Sequence, residues 1–150
     1  MKPIITWIVI ADGDTAKVFA NDGPGKGMKP VEGLAFEQAH LRAGDIMADK
    51  QGRSFSSFGP GSRSAIDYKI GPVEVRERRF VEHLADVLNE RLTAGAFHRL
   101  IIAAAPSALG DIRPALSDAV KQTILAELPK DLVKTPSARL AEHFDGLLAL

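Results

Sequence analysis

Three observations in the 150-residue sequence predict an α/β fold around one mixed five-stranded sheet. Two nearly continuous apolar runs, IITWIVIA over residues 4–11 and HRLIIAAA over 98–105, have the composition of strands buried on both faces. Asp12-Gly13 follows the first run directly, a strong hairpin signal that puts an antiparallel neighbour beside it. Elsewhere apolar residues recur at three- and four-residue spacing, the period of amphipathic helices. A hairpin followed by strands alternating with helices gives a sheet that is antiparallel at one end and parallel at the other.

The remaining elements follow in order. Residues 16–20 (AKVFA) alternate enough to return as the second strand, and the turn-rich stretch 21–30 (NDGPGKGMKP) leads to a third strand within 31–40. Leu34 and Phe36 share one face of that strand. From 41 to 72 no period persists, and a connection this long is typically functional or disordered. A helix is predicted over 73–94, with Phe80, Val81, Leu84, Val87, Leu88 and Leu92 inward, Arg76, Glu77, Arg79, Glu82 and Glu90 outward, and Gly95 as its stop. After the 98–105 strand, residues 108–128 read as two short helices: Gly110 and Pro114 interrupt the first part, and Ser117-Asp118 caps a second piece running to Leu128. A brief strand over 132–134 follows, and Pro136-Ser137 opens a final amphipathic helix using Leu140, Phe144, Leu147 and Leu148. The predicted order is β-β-β-α-β-α-β-α. It is that of a three-layer, ribonuclease H-like fold with a long basic loop between the third strand and the first helix.

The size is that of one domain, and no repeat or second domain is visible. Hydrophobic residues at 45%, charged residues at 25% and mean hydropathy near zero exclude disordered and collagen-like classes. Without cysteine there is no disulfide framework and no thiolate metal site, which fits a reducing cytoplasm. The apolar segment after Met1-Lys2-Pro3 is too short to span a bilayer and lacks a small-residue cleavage site, so no export signal and no membrane partner are expected. Nineteen basic and nineteen acidic residues balance to zero, so any polyanion partner has to be met by a local patch.

That patch is predicted at 50–66, KQGRSFSSFGPGSRSAI. It carries Lys50, Arg53 and Arg63 and no acidic residue, together with three glycines and five serines. Such composition supplies turn chemistry and little to bury. Cations of this kind contact phosphates, and Phe55 and Phe58 either stack bases or pin the loop to the core. Gln51, Gly52 and Ser54 complete the candidate nucleic-acid-binding set, and Lys26, Lys29 and Arg79 are candidates for a supporting basic surface.

Other chemistry finds less support. A two-metal nuclease site would draw on Asp12, Asp14 and either Glu77 or Glu82, but the second apolar strand ends in Ala103-Ala104-Ala105-Pro106 without a carboxylate. Asp12 then serves the turn. The segment 23–27 (GPGKG) has the glycine content of a phosphate loop without its spacing or its Lys-Ser/Thr ending. The helix start at 104–107 is a generic anion-facing geometry. His40, His83, His98 and His143 have no metal-ligand spacing, and no serine sits in a nucleophile elbow. No catalytic residue, metal or cofactor is expected.

The motifs Trp7-Ile8-Val9-Ile10-Ala11-Asp12-Gly13, Asn21-Asp22-Gly23-Pro24-Gly25-Lys26-Gly27, Asp49-Lys50-Gln51-Gly52-Arg53-Ser54-Phe55, Ala105-Pro106 with Leu109-Gly110, and Lys130-Asp131-Leu132 resemble, in order, those of the bacterial host attachment proteins. That family is in turn similar to the middle domain of archaeal and eukaryotic peptide-release factors, whose exposed loop reaches the peptidyl-transferase centre. The resemblance implies a ribonuclease H-like fold and a cytoplasmic domain facing ribosomal RNA, tRNA or the ribosome. The release tripeptide Gly-Gly-Gln is replaced here by Gln51-Gly52-Arg53, so peptide release is not implied. Two alternatives stand beside RNA contact: an interaction protein in host attachment, and a peptidyl-tRNA or ester hydrolase depending on Gln51 or Ser54.

Overall fold

A computed structural model describes residues 3–37 and 71–150. Its five strands are β1 (Thr6–Ala11), β2 (Thr15–Asn21), β3 (Lys29–Glu37), β4 (Arg99–Ala104) and β5 (Ile124–Leu128). They form one sheet in the order β3-β2-β1-β4-β5. β1 pairs antiparallel with β2 and parallel with β4, β2 pairs antiparallel with β3, and β4 pairs parallel with β5. The two apolar runs are therefore adjacent at the centre, as their composition predicts.

Alternation along β1 explains why both of its faces are apolar. Trp7, Val9 and Ala11 join the core under the helices, whereas Ile8 and Ile10 join a second cluster on the opposite face. The helical layer holds α1 (Pro72–Thr93), α2 (Pro106–Ala115) and α3 (Asp118–Lys121). Phe80, Val81, Leu84, Ala85 and Leu88 of α1 are buried at helical spacing, and Phe97 stacks on Trp7 with ring centroids 4.7 Å apart. Gly95, at φ 80°, ends α1 and donates its N–H to the Leu92 carbonyl. Leu34 is buried and Phe36 packs beside the same core, edge-on to His83. The opposite face is covered by the chain after β5: Leu132, Val133, α4 (Ser137–Leu140) and a 3₁₀ turn over Ala141–Phe144, with Leu140 and Phe144 buried.

The carboxyl-terminal half departs from expectation in four places. Gly110 and Pro114 do not break α2, which runs through both. Pro114 stands in the last turn, where its missing N–H removes one bond near an end that frays anyway, and Gly110 is exposed. The second helical piece does not reach Leu128. Ser117 caps it through a bond from the Val120 N–H, but α3 lasts one turn, and Thr123 closes it with N–H and hydroxyl bonds to the Val120 carbonyl. Residues 124–128 instead supply the fifth strand, because parallel pairing with β4 outweighs a modest helical preference. The strand expected over 132–134 is consequently a turn region, although Leu132 and Val133 are buried as that reading required. The last helix is one α turn and one 3₁₀ turn, ended before Gly146 at φ 85°.

Asn89 joins the helical layer together. Its Nδ2 donates to the Ala115 carbonyl at 3.2 Å and its Oδ1 accepts the Ser117 N–H at 2.9 Å, so one side chain satisfies both sides of the α2–α3 junction. Asn89→Ala is expected to lower stability by about 1–2 kcal/mol, since the part-buried Ala115 carbonyl loses its partner while the exposed Ser117 N–H can turn to water. A urea midpoint unchanged from wild type would contradict this.

Candidate functional site

The strand directions gather several features at one end of the sheet. β1, β3, β4 and β5 all run the same way, so their carboxyl ends share an edge. At that edge Ala11 pairs with Ala16 on one side and Ala104 on the other, and Glu37 lies opposite Thr15. The amino ends of α1 and α2 are on the same side, because Glu77 reaches the turn after β1 and the Ala105 N–H donates to the Ala11 carbonyl. Glu37 and Gly71, the described residues that flank segment 38–70, thus both belong to this end.

Asp12 builds the turn there. Its Oδ1 accepts the N–H groups of Asp14 at 2.8 Å and Thr15 at 2.7 Å, and its own N–H donates to the Thr15 carbonyl. This is the turn role expected of it. Asp12→Ala is expected to lose about 1–2 kcal/mol of stability, whereas Asp12→Asn, which keeps an accepting oxygen, should lose less than half of that. Equal thermal midpoints for the two variants would contradict the assignment.

Spacing could not choose between Glu77 and Glu82, and the fold does. Gly13 is buried, and a Cβ at that position would overlap the Glu77 carboxylate. Burial, then the charges of Asp14 and Glu74, and lastly Asp12 hold the Glu77 carboxyl above the usual carboxylate range, while Arg76 pulls the other way. Of the two glutamates considered beside Asp12 and Asp14, the structure brings Glu77 to the turn and leaves Glu82 exposed on α1. β4 brings only alanines to this edge. Among the described residues, no group of three or more His, Asp or Glu is arranged to hold a metal ion.

The candidate binding residues divide into two sets. Lys50, Gln51, Gly52, Arg53, Ser54, Phe55, Phe58 and Arg63 lie outside the described residues, as does His40. Lys26 and Lys29 are exposed, but they stand at the opposite end of the sheet, where Lys29 pairs with Ala20 and Ala20 with Trp7 near the start of β1. The register sets Lys29 apart from Glu37 by the span of β2 from Thr15 to Ala20, roughly 17 Å at the usual rise per residue. They therefore share no edge with the flanks of the 38–70 segment. Arg79 is exposed in the first third of α1 and lies on the side of the relevant edge.

The phosphate-loop lookalike at 23–27 is a connector between antiparallel strands. Gly25 and Gly27 take φ of 76° and 73°, and buried Asn21 braces the turn by donating Nδ2–H to the Gly27 carbonyl and accepting the Gly23 N–H. No helix follows it, so it lacks the geometry of a phosphate loop. Two of the histidines have structural contacts: His83 packs edge-on to Phe36, and His98 Nδ1 accepts the Ile5 N–H at 3.0 Å. Among the described residues, no helix is long and apolar enough to cross a membrane.

A comparison with curated proteins finds no match. The protein family described as "Protein required for attachment to host cells" matches residues 7–144, from the second residue of β1 to the end of the 3₁₀ turn. That match takes in the sheet apart from Thr6, most of both covering layers and the 38–70 segment, and the chain belongs to the host attachment family.

Proposed function

We propose that this chain is a non-catalytic, cytoplasmic domain that binds ribosomal RNA, tRNA or the ribosome through residues 50–63. In this reading Lys50, Arg53 and Arg63 contact phosphates, Phe55 and Phe58 stack on unpaired bases, and Gln51, Gly52 and Ser54 let the backbone approach closely. The observation that carries it is local charge: a neutral protein places three cations and no acid in one 17-residue stretch. The flanks support it too, since both belong to a single rigid sheet edge, an arrangement suited to presenting a recognition segment. Sheet order β3-β2-β1-β4-β5, with α1–α3 on one face and α4 and the 3₁₀ turn on the other, supports reading the fold as ribonuclease H-like and the domain as a relative of the release-factor middle domain. Arg79 is kept as a supporting cation, whereas Lys26 and Lys29 are dropped from the contiguous surface on grounds of distance.

The test is binding of the purified protein to single-stranded and ribosomal RNA across a salt series. Affinity that falls steeply with salt supports the proposal, and salt-independent binding or none contradicts it. The family's description favours a second reading, an interaction protein acting in attachment to a host. Fractionation of cells producing the untagged protein separates the two, since the attachment reading requires it outside the cytoplasm.

A further inference from the structure

The first turn of α1 is exposed, in a helix that is otherwise well buried. Pro72, Val73 and Glu74 are all exposed, Val73 at 49%, and the preceding Gly71 offers no side chain to cap the end. Contacts at this end include the Val75 N–H bond to the Gly71 carbonyl, burial of Val75, the Glu74 carboxylate folded back onto Gly71, and the seat of Glu77 on Gly13. That last contact is made by an ionisable group that feels charges of its own sign from the residues around it. Asp12 and Asp14 face it from the β1–β2 turn and Glu74 from one helical turn earlier, while Glu37 ends β3 at the same edge. The countercharges are Arg76, with Arg78 and Arg79 further along α1. Between 106 and 110 the start of α2 contributes no ionisable residue, and Asp111 comes next.

We infer that the Glu77–Gly13 contact is a pH-sensitive joint: the amino-terminal turns of α1 close onto the β1–β2 turn when Glu77 is protonated and loosen when it ionises. Protonation removes a charge from a cluster of carboxylates and leaves a neutral group that fits the same place. Ionisation restores the repulsion, and the exposed first turn is the part with least packing to resist it. The direction follows from linkage. Glu77 binds its proton more tightly in the folded protein than in the unfolded chain, so this stabilisation is complete below the ordinary glutamate range and is lost as pH rises through the raised folded value. The inference concerns the folded body alone and does not depend on what residues 50–63 bind.

Amide hydrogen exchange of residues 75–80 tests it in the full chain, corrected for the intrinsic pH dependence of exchange and measured from about pH 4 to about pH 7. Wild type is expected to lose protection there on the order of threefold as pH rises. Glu77→Gln, neutral and nearly isosteric, should stay protected throughout, and Asp14→Asn should show a smaller pH response than wild type. Protection in wild type that does not change with pH overturns the joint. So does a full pH response retained in both variants, which would assign the titration to other groups.

Discussion

Phe144→Ala is expected to destabilise the protein by about 3–5 kcal/mol, the usual range for emptying a large aromatic site in a core. Phe144 is fully buried, and it clusters with Ile8 and Ile10 of β1 and Ile101 and Ala103 of β4. Among the described residues, the layer it belongs to is made of short turns, with α4 and the 3₁₀ turn spanning four residues each. Helices this short have almost no stability of their own, so packing has to hold them. Removing the ring therefore opens a cavity and also releases much of what keeps the segment after β5 on the sheet. Leu147, only half-buried beside the same cluster, provides the comparison: Leu147→Ala should lose about 1 kcal/mol. Trp7, the single tryptophan, lies on the opposite face of the sheet, and its fluorescence reports whether loss of one layer unfolds the other. Coincident fluorescence and circular dichroism midpoints, both lowered in Phe144→Ala, are the expected result. An unchanged midpoint would mean that the turn layer does not contribute to the core.

The second large effect concerns the proposed contact with RNA. Replacing Lys50, Arg53 and Arg63 together by glutamine removes three cations from a segment that has no acid to offset them. If each neutralises one phosphate of a single strand, the slope of log K against log salt should fall by about 2, and affinity near 0.1 M salt by on the order of 100-fold. Lys26→Gln with Lys29→Gln is the matched control, because those lysines stand at the far end of β3. Their loss should leave the slope nearly unchanged. Equal losses in the two variants would show that general charge, and not the 50–63 segment, governs binding.

The parts of the fold that were legible in the sequence are those where one local signal dominates. β1 and β4 read as buried strands because both faces needed apolar residues, and α1 read as a helix because six apolar positions recur at its period. Asp12-Gly13 marked a turn whose mechanism is local, the Asp12 carboxylate bonding the two N–H groups that follow. The stretch after β4 was harder because its decisive interactions are tertiary. Residues 124–128 carry no strong strand pattern and become a strand through pairing with β4. Leu132 and Val133 looked like a strand because they are buried, but a buried turn gives the same composition. For the site, the charge of 50–66 was open to reading, whereas the seat of Glu77 on Gly13 joins residues far apart in the chain with no pattern linking them. Conversely, Lys26 and Lys29 belonged with the basic surface only as long as the length of β3 was not considered.

Sedimentation of the endogenous protein with ribosomes, at low and high salt, tests the central claim most directly. Wild type is expected to co-sediment at low salt and to be released at high salt, and the Lys50, Arg53 and Arg63 triple variant to stay in the supernatant at both. Wild-type protein that remains in the supernatant at low salt, or a triple variant that pellets as fully as wild type, would contradict it.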